Sequence, residues 1–339
     1  MTAAAAATTP APKQSWRPLL WGLAAFLIVP QLPFFELMVP IDQTLLLLIP
    51  VVTVCSIVGW KLGGRTALAL IWLVLAVWTL LQPAGAPGTP YDQMARGWAI
   101  LLAASFGLVS LWSVATPFFV RALAAVGIST AVGFLVALAA PSGIARFQHA
   151  AGEEFTRRVT ITIGRIHQSM DTPEWKQLAE KMPGLDTWND ESESVMKAMP
   201  DRAASLLPAL LAVESLAALA LAWGLYQRLS PVKIGPQLTP LTEFRFNDQL
   251  IWGVAVGATL CLLPAFADGR TAGLNLLVFF GTLYLIRGLG VLAWIARGRY
   301  AVIIILSLIP QVCIMLGVLA LGLGLGDTWL DIRRRARAG

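Results

Sequence analysis

The chain has 339 residues, of which 57% are hydrophobic and 13% charged, with a formal net charge of +6 at pH 7. A soluble domain carries about 45 to 50% apolar and about 25% charged residues, so this composition excludes an ordinary soluble domain and points to a membrane protein. The positive residues lie mainly in short segments beside apolar runs, as in loops that fix membrane topology, and give no reason to invoke nucleic acid.

In chain order, MTAAAAATTPAPKQS reads as a disordered tail and not as a cleavable signal, being small, polar and proline-containing. Apolar runs then predict spans near 17–35, 43–60, 66–82, 97–115 and 118–140, forming a first half over 16–140. A polar segment covers 141–202. Spans near 205–226, 249–267, 272–295 and 301–325 form a second half over 203–326, and 327–339 is a basic tail. The expected fold is all-α, a polytopic membrane bundle of about nine (eight to ten) transmembrane helices with an amphipathic helical insert.

Lys13 and Arg17, Lys61 and Arg65, then Arg228, Lys233 and Arg245, then Arg297 and Arg299 all fall on one side, the cytoplasmic one. With nine simple spans the run RRRAR at 333–337 would end outside, against the same rule. Two repairs are open: Pro310 divides the last stretch into two segments, or Thr116 and Pro117 kink one long helix instead of ending it. In the insert, Phe155, Val159, Ile163, Ile166 and Met170 recur at helical spacing while Arg157, Arg158 and Arg165 project elsewhere. Trp175, Leu178, Met182 and Leu185 repeat the pattern after Pro173, and DTWNDESES reads as an acidic, flexible link. The insert is expected to lie on the outer leaflet or the outer face of the bundle.

No P-loop, GxSxG elbow or dinucleotide fingerprint is present, and GLGLG at 322–326 lacks the strand and helix of a βαβ unit. Cys55, Cys261 and Cys313 are scattered through apolar runs, and His149 and His167 lack metal-ligand spacing, so no cofactor or metal is expected. The expectation is a non-enzyme. The informative residues are polar ones within spans: Glu214, Arg287, Asn275 and Gln311 form a candidate intramembrane or ligand site, with Arg121 a lesser candidate at a turn. Glu214 and Arg287, at comparable depth, are expected to pair; the alternative is a protonated Glu214 with Arg287 snorkelling to the surface.

The stretches LLPALLAVESLAALALAWGLYQRL, FRFNDQLIWGVAVG, NLLVFFGTLYLIRGLGVLAWIARGR and LGLGDTWLDIRRR together resemble the YybS-like bacterial membrane proteins, domain-of-unknown-function family 2232. Gly326, Asp327, Trp329, Asp331 and Arg333 match that family's usual ending. Asp327, Trp329, Asp331 and Arg333 are therefore candidate interfacial or docking residues, with the acids pairing locally with Arg334 or Arg335. The family is distantly similar to the S components of energy-coupling-factor transporters, small bundles that bind a ligand on the outer side. That implies a multi-pass protein of the bacterial cytoplasmic (inner) membrane whose partners are the lipid bilayer, a small-molecule ligand and, more remotely, an energy-coupling-factor transmembrane subunit. The first helix carries Gly22, Ala24 and Ala25 but no AxxxA coupling motif. The alternative function is a non-transporting scaffold or assembly factor of the cell envelope.

Overall fold

The computed structural model describes residues 15–82, 86–112, 115–173, 184–296 and 310–331, with Trp175, Gln177, Lys181, Met182, Arg333 and Arg335. The readings of the N-terminal tail, of 301–309, and of Leu178, Arg297, Arg299 and Arg334 fall outside those residues. Twelve α-helices follow in order: α1 Arg17–Ile28, α2 Pro33–Glu36, α3 Leu45–Lys61, α4 Thr66–Leu81, α5 Pro90–Trp112, α6 Phe118–Ala139, α7 Gly143–Met170, α8 Leu185–Lys197, α9 Met199–Leu229, α10 Ile251–Leu262, α11 Arg270–Ile295 and α12 Pro310–Leu330. The described residues contain no strand.

Among the described residues five helical stretches are long and apolar enough to cross a membrane: Pro90–Trp112, Phe118–Ala139, Met199–Leu229, Pro264–Ile295 and Gln311–Leu330. The expected count of nine is therefore not reproduced among the described residues. Leu45–Lys61, Thr66–Leu81 and Asp248–Leu262 are apolar but shorter. At a rise of about 1.5 Å per residue they fall short of a hydrocarbon core of about 30 Å. The break at Thr116 and Pro117 is real, since α6 starts a new helix after an extended Pro117.

The core explains the layout. Helix α3 is apolar on every side, with Leu46, Leu47, Val51, Val52, Cys55 and Val58 buried, so it can only be a central helix surrounded by others. It packs on α4, α5 and α9. Helix α9 is the long axis of the molecule: it starts in the insert, runs the depth of the bundle and also touches α1, α6, α7 and α11. The insert and the second half thus share one helix. Trp223 of α9 packs edge-on to Phe106 of α5, with ring centroids 5.9 Å apart.

Two ends result. At the loop end, Arg228 of α9 reaches the Ser15 carbonyl at 2.8 Å, Gly59 of α3 abuts Tyr226, and residues 230–250 lie across the helix termini. At the insert end, α7 packs on α9, α6 and α5. Phe155 and Val159 are buried and Ile163, Ile166 and Met170 half-buried, as the periodicity predicts. Arg158, read as projecting away from that face, is instead buried in it, and DTWNDESES is not a flexible link but part of α8.

Helices α11 and α12 cross with glycine against glycine. A side chain at Gly288 would overlap the Ala320 carbonyl, and one at Gly324 the Tyr284 carbonyl, so only hydrogen at both positions lets the backbones meet. Helix α12 is described from Pro310 onward, and the suggested division of the last stretch there falls on residues outside those described. Beyond its far end Arg333 reaches the carbonyls of residues 242 and 244, which puts Arg333 at the loop end with Arg228 and Arg245. The end-outside topology given by nine simple spans is corrected accordingly.

Candidate functional site

The polar side chains inside this apolar frame do not gather into one site. They form separate clamps, each holding a loop to a helix end.

At the loop end, Asp327 is the hub. It sits in the last turn of α12 and accepts from Arg287 Nε at 3.1 Å and from Arg333 Nη2 at 2.8 Å. Arg287 also donates to the Asp327 carbonyl at 3.1 Å and to Asp248 Oδ1 at 2.7 Å, and its guanidinium lies 5.3 Å from the Phe246 ring centre. Arg333 comes back to Asp327 because Asp331 takes the left-handed conformation (φ 44°), one that aspartate tolerates better than most residues. From there it donates to the carbonyls of Thr242 at 2.9 Å and Phe244 at 3.1 Å. Asp331 pairs with Arg245. The acids therefore bridge distant segments, not Arg335 one turn away as expected; Arg334 is not among the described residues. Trp329 is 67% exposed.

Arg121, expected at a turn, is wholly buried beside one. It donates to the carbonyls of Ile234 at 3.2 Å and Thr116 at 3.1 Å and stacks 4.7 Å from the Trp223 ring centre. Trp223 Nε1 and Gln227 Nε2 donate to the carbonyls of Pro236 and Gly235 at 3.2 and 3.1 Å, so the same loop is held at three consecutive residues. A buried loop carbonyl without a donor is costly, and these side chains supply the donors.

At the insert end the hub is Arg158 of α7. It donates to the carbonyls of Glu36, Val39 and Pro40 at 3.3, 2.8 and 3.1 Å, and to Glu154 Oε1 at 2.9 Å. Tyr91 donates to the Pro40 carbonyl at 2.5 Å. Glu214, deep in α9, accepts the Ile41 amide at 3.1 Å through Oε2, while Oε1 is buried without a hydrogen bond. Burial pushes the Glu154 carboxyl up, but hydrogen bonds and charge from Arg157 and Arg158 outweigh it and hold the group below the usual carboxylate range. Arg158 was missed as an anchor because a charged residue on an amphipathic helix is read as solvent-facing. The available signal was that Glu154 and Arg158, one turn apart, share the stripe of Phe155 and Val159.

Glu214 and Arg287 therefore do not pair. One holds residue 41 at the insert end; the other is engaged by Asp327 and Asp248 at the loop end. Equal counts from the span ends said nothing about which surface each side chain turns toward. Asn275 of α11 accepts the Ala209 amide at 2.9 Å and donates to the Ser205 carbonyl at 2.8 Å, bridging two groups that a continuous helix bonds to each other. Pro208 stands beside them inside α9. Prolines disturb that part of the ladder, and an inserted side chain can complete it. Gln311 is exposed in the first turn of α12.

Open space lies elsewhere. A cleft of about 980 Å³ runs between α7 and the first turns of α9, lined by His149, Glu153, Thr156, Arg157, Thr160 and Asp201 and floored by Ser205 and Thr271. A smaller one of about 470 Å³ adjoins it over Thr156, Thr160, Glu193, Lys197 and Asp201. Neither is lined by Glu214, Arg287, Asn275 or Gln311. Both are open to the surface and set polar side chains within a largely apolar lining, and their walls are α7, α8, α9 and the start of α11.

One family, described as "Predicted membrane protein (DUF2232)", matches residues 99–328 of this chain. No curated protein and no solved structure matches. The matched stretch runs from α5 to the last turn of α12 and includes Arg121, Arg158, Asn275, Arg287 and Asp327.

Proposed function

The chain belongs to the DUF2232 family of membrane proteins, and on that premise we propose that it binds a small polar molecule at the insert end of its bundle, in the cleft between α7 and α9. The supporting observation is a division of labour among polar side chains. Those inside the bundle are engaged with main-chain groups, whereas the cleft brings acids, hydroxyls, an imidazole and an amide of Gln148 around open space. Pockets that hold small molecules present such convergent polar groups. The reading is of a binding component of the bacterial inner membrane, not an enzyme. It agrees with the resemblance to S components, which take ligand at the outer side. Coupling to an energy-coupling-factor subunit is no part of it, for want of an AxxxA repeat in α1.

A second reading, a scaffold that docks another protein, has one observation in its favour: Val195 of α8 and Met182 are large apolar side chains exposed on the insert. A thermal-shift screen of polar metabolites on the detergent-solubilised protein separates the two. A ligand at 100 times its Kd stabilises by about 2.7 kcal/mol. The exposed Thr160→Trp substitution, which fills the cleft, should abolish that shift. A shift that survives Thr160→Trp and disappears in Glu214→Gln would move the site into the bundle. No shift at all, with a protein partner lost in Val195→Asp, would favour the scaffold.

A further inference from the structure

The two ends of the bundle treat their charges differently. At the insert end acidic side chains outnumber basic ones among the described residues, and several cations have acids at hand, Arg96 with Asp92 at 2.7 Å, Arg165 with Glu36 at 3.2 Å and Lys197 with Glu193 at 2.7 Å, although the exposed Arg146, Arg202 and Arg270 form no ion pair among the described residues. At the loop end the balance is reversed. Asp248, Asp327 and Asp331 are each already bonded to an arginine. Arg17, Lys61 and Arg65 are exposed and have no acidic partner among the described residues.

Their positions sharpen the point. Arg17 opens α1 and Arg65 immediately precedes α4, and neither helix has an acid in its first turn. A helix N-terminus already carries partial positive charge, so a cation placed there is opposed by its own helix unless an anion is near. Among the described residues no acidic side chain pairs with either. Tryptophans accompany these cations at the same end: Trp16 and Trp60 beside Arg17 and Lys61, with Trp112, Trp252 and Trp329 exposed at the ends of α5, α10 and α12. Indole side chains favour the headgroup depth of a bilayer.

We propose that the loop end is a docking surface for anionic lipid headgroups, contacted by Arg17, Lys61 and Arg65, with the tryptophans setting its depth. The leaflet on that side would supply the missing negative charge. This inference is independent of the cleft at the other end.

The test is lipid selectivity measured by native mass spectrometry on the full chain, delipidated and titrated with phosphatidylglycerol or phosphatidylcholine of identical acyl chains. Each cation near an anionic surface contributes roughly fivefold in preference, so R17Q/K61Q/R65Q should lose about a hundredfold. The matched insert-end variant R146Q/R202Q should keep the preference. Thermal unfolding of both variants guards against misfolding, and because all five side chains are exposed, unfolding temperatures should stay close to wild type. Equal retention of the two lipids by the wild type, or a preference unchanged in R17Q/K61Q/R65Q, overturns the proposal. So does a preference lost in R146Q/R202Q instead.

Discussion

Asn275 illustrates how a polar residue near the start of an apolar span can serve the main chain. Its carboxamide satisfies the Ala209 amide and the Ser205 carbonyl next to Pro208. Asn275→Leu leaves both groups bare and should cost about 1–3 kcal/mol, read as a lowered unfolding temperature. In a Pro208→Ala background, where α9 can close its own bond, the same substitution should cost less; an undiminished cost would separate Asn275 from the kink. Asp327 makes the corresponding case for charge. Asp327→Ala strands Arg287 and Arg333 and should destabilise by about 3–5 kcal/mol, as expected for breaking a buried ion pair. Sequence alone could identify Asn275 and Arg287 as unusual, because ionisable and amide groups are rare in hydrocarbon, and Asp327 only through its place in the ending that resembles the family's. It could not name their partners, which are mostly loop carbonyls and carry no sequence signature.

Among the elements, the crossing of α11 and α12 is the least tolerant. Gly288→Ala and Gly324→Ala each drive a methyl into a main-chain carbonyl and should separate the helices, lowering stability by several kcal/mol. Gly317→Ala and Gly322→Ala on the same α12 meet nothing within 4 Å and should be neutral or stabilising by about 0.5–1 kcal/mol. Comparable losses at all four positions would mean that the crossing is not where the structure has it. Helix α7 makes a pH prediction. Because Arg157 and Arg158 hold the Glu154 carboxyl below its ordinary value of 4.5, its contribution is complete above that pH and is lost as pH falls toward the folded value. Hydrogen exchange should therefore show α7 protected near neutrality and progressively exposed below about pH 4.5, with Glu154→Gln exchanging faster at neutral pH; protection independent of pH would contradict the clamp. The apolar stripe of α7 was legible as periodicity. Its ion pair was not, because periodicity assigns charges to water, and α8 was misread because acidic and hydroxyl residues suggest a link until a neighbouring helix gives them a face.

For the molecule as a whole, hydropathy located the helices well from α3 to α11, because a bilayer imposes length and composition on anything that crosses it. It did not settle how many cross, since α3, α4 and α10 are apolar yet short. The two ends should also be separable in a cell. With Cys55, Cys261 and Cys313 replaced, Ser194→Cys on α8 and Arg65→Cys at the loop end should show opposite labelling by an impermeant thiol reagent, and Arg335→Cys should behave like Arg65→Cys. Labelling of Arg335→Cys with Ser194→Cys would return the C-terminus to the insert side. The central claim is that buried polar residues hold the main chain while the cleft at the insert end holds a ligand. Native mass spectrometry combined with thermal unfolding of two variants tests it most directly. Thr160→Trp should lose a bound small molecule and keep its unfolding temperature, whereas Asn275→Leu should keep the molecule and unfold earlier. A molecule retained in Thr160→Trp and lost in Asn275→Leu without loss of stability would contradict the account.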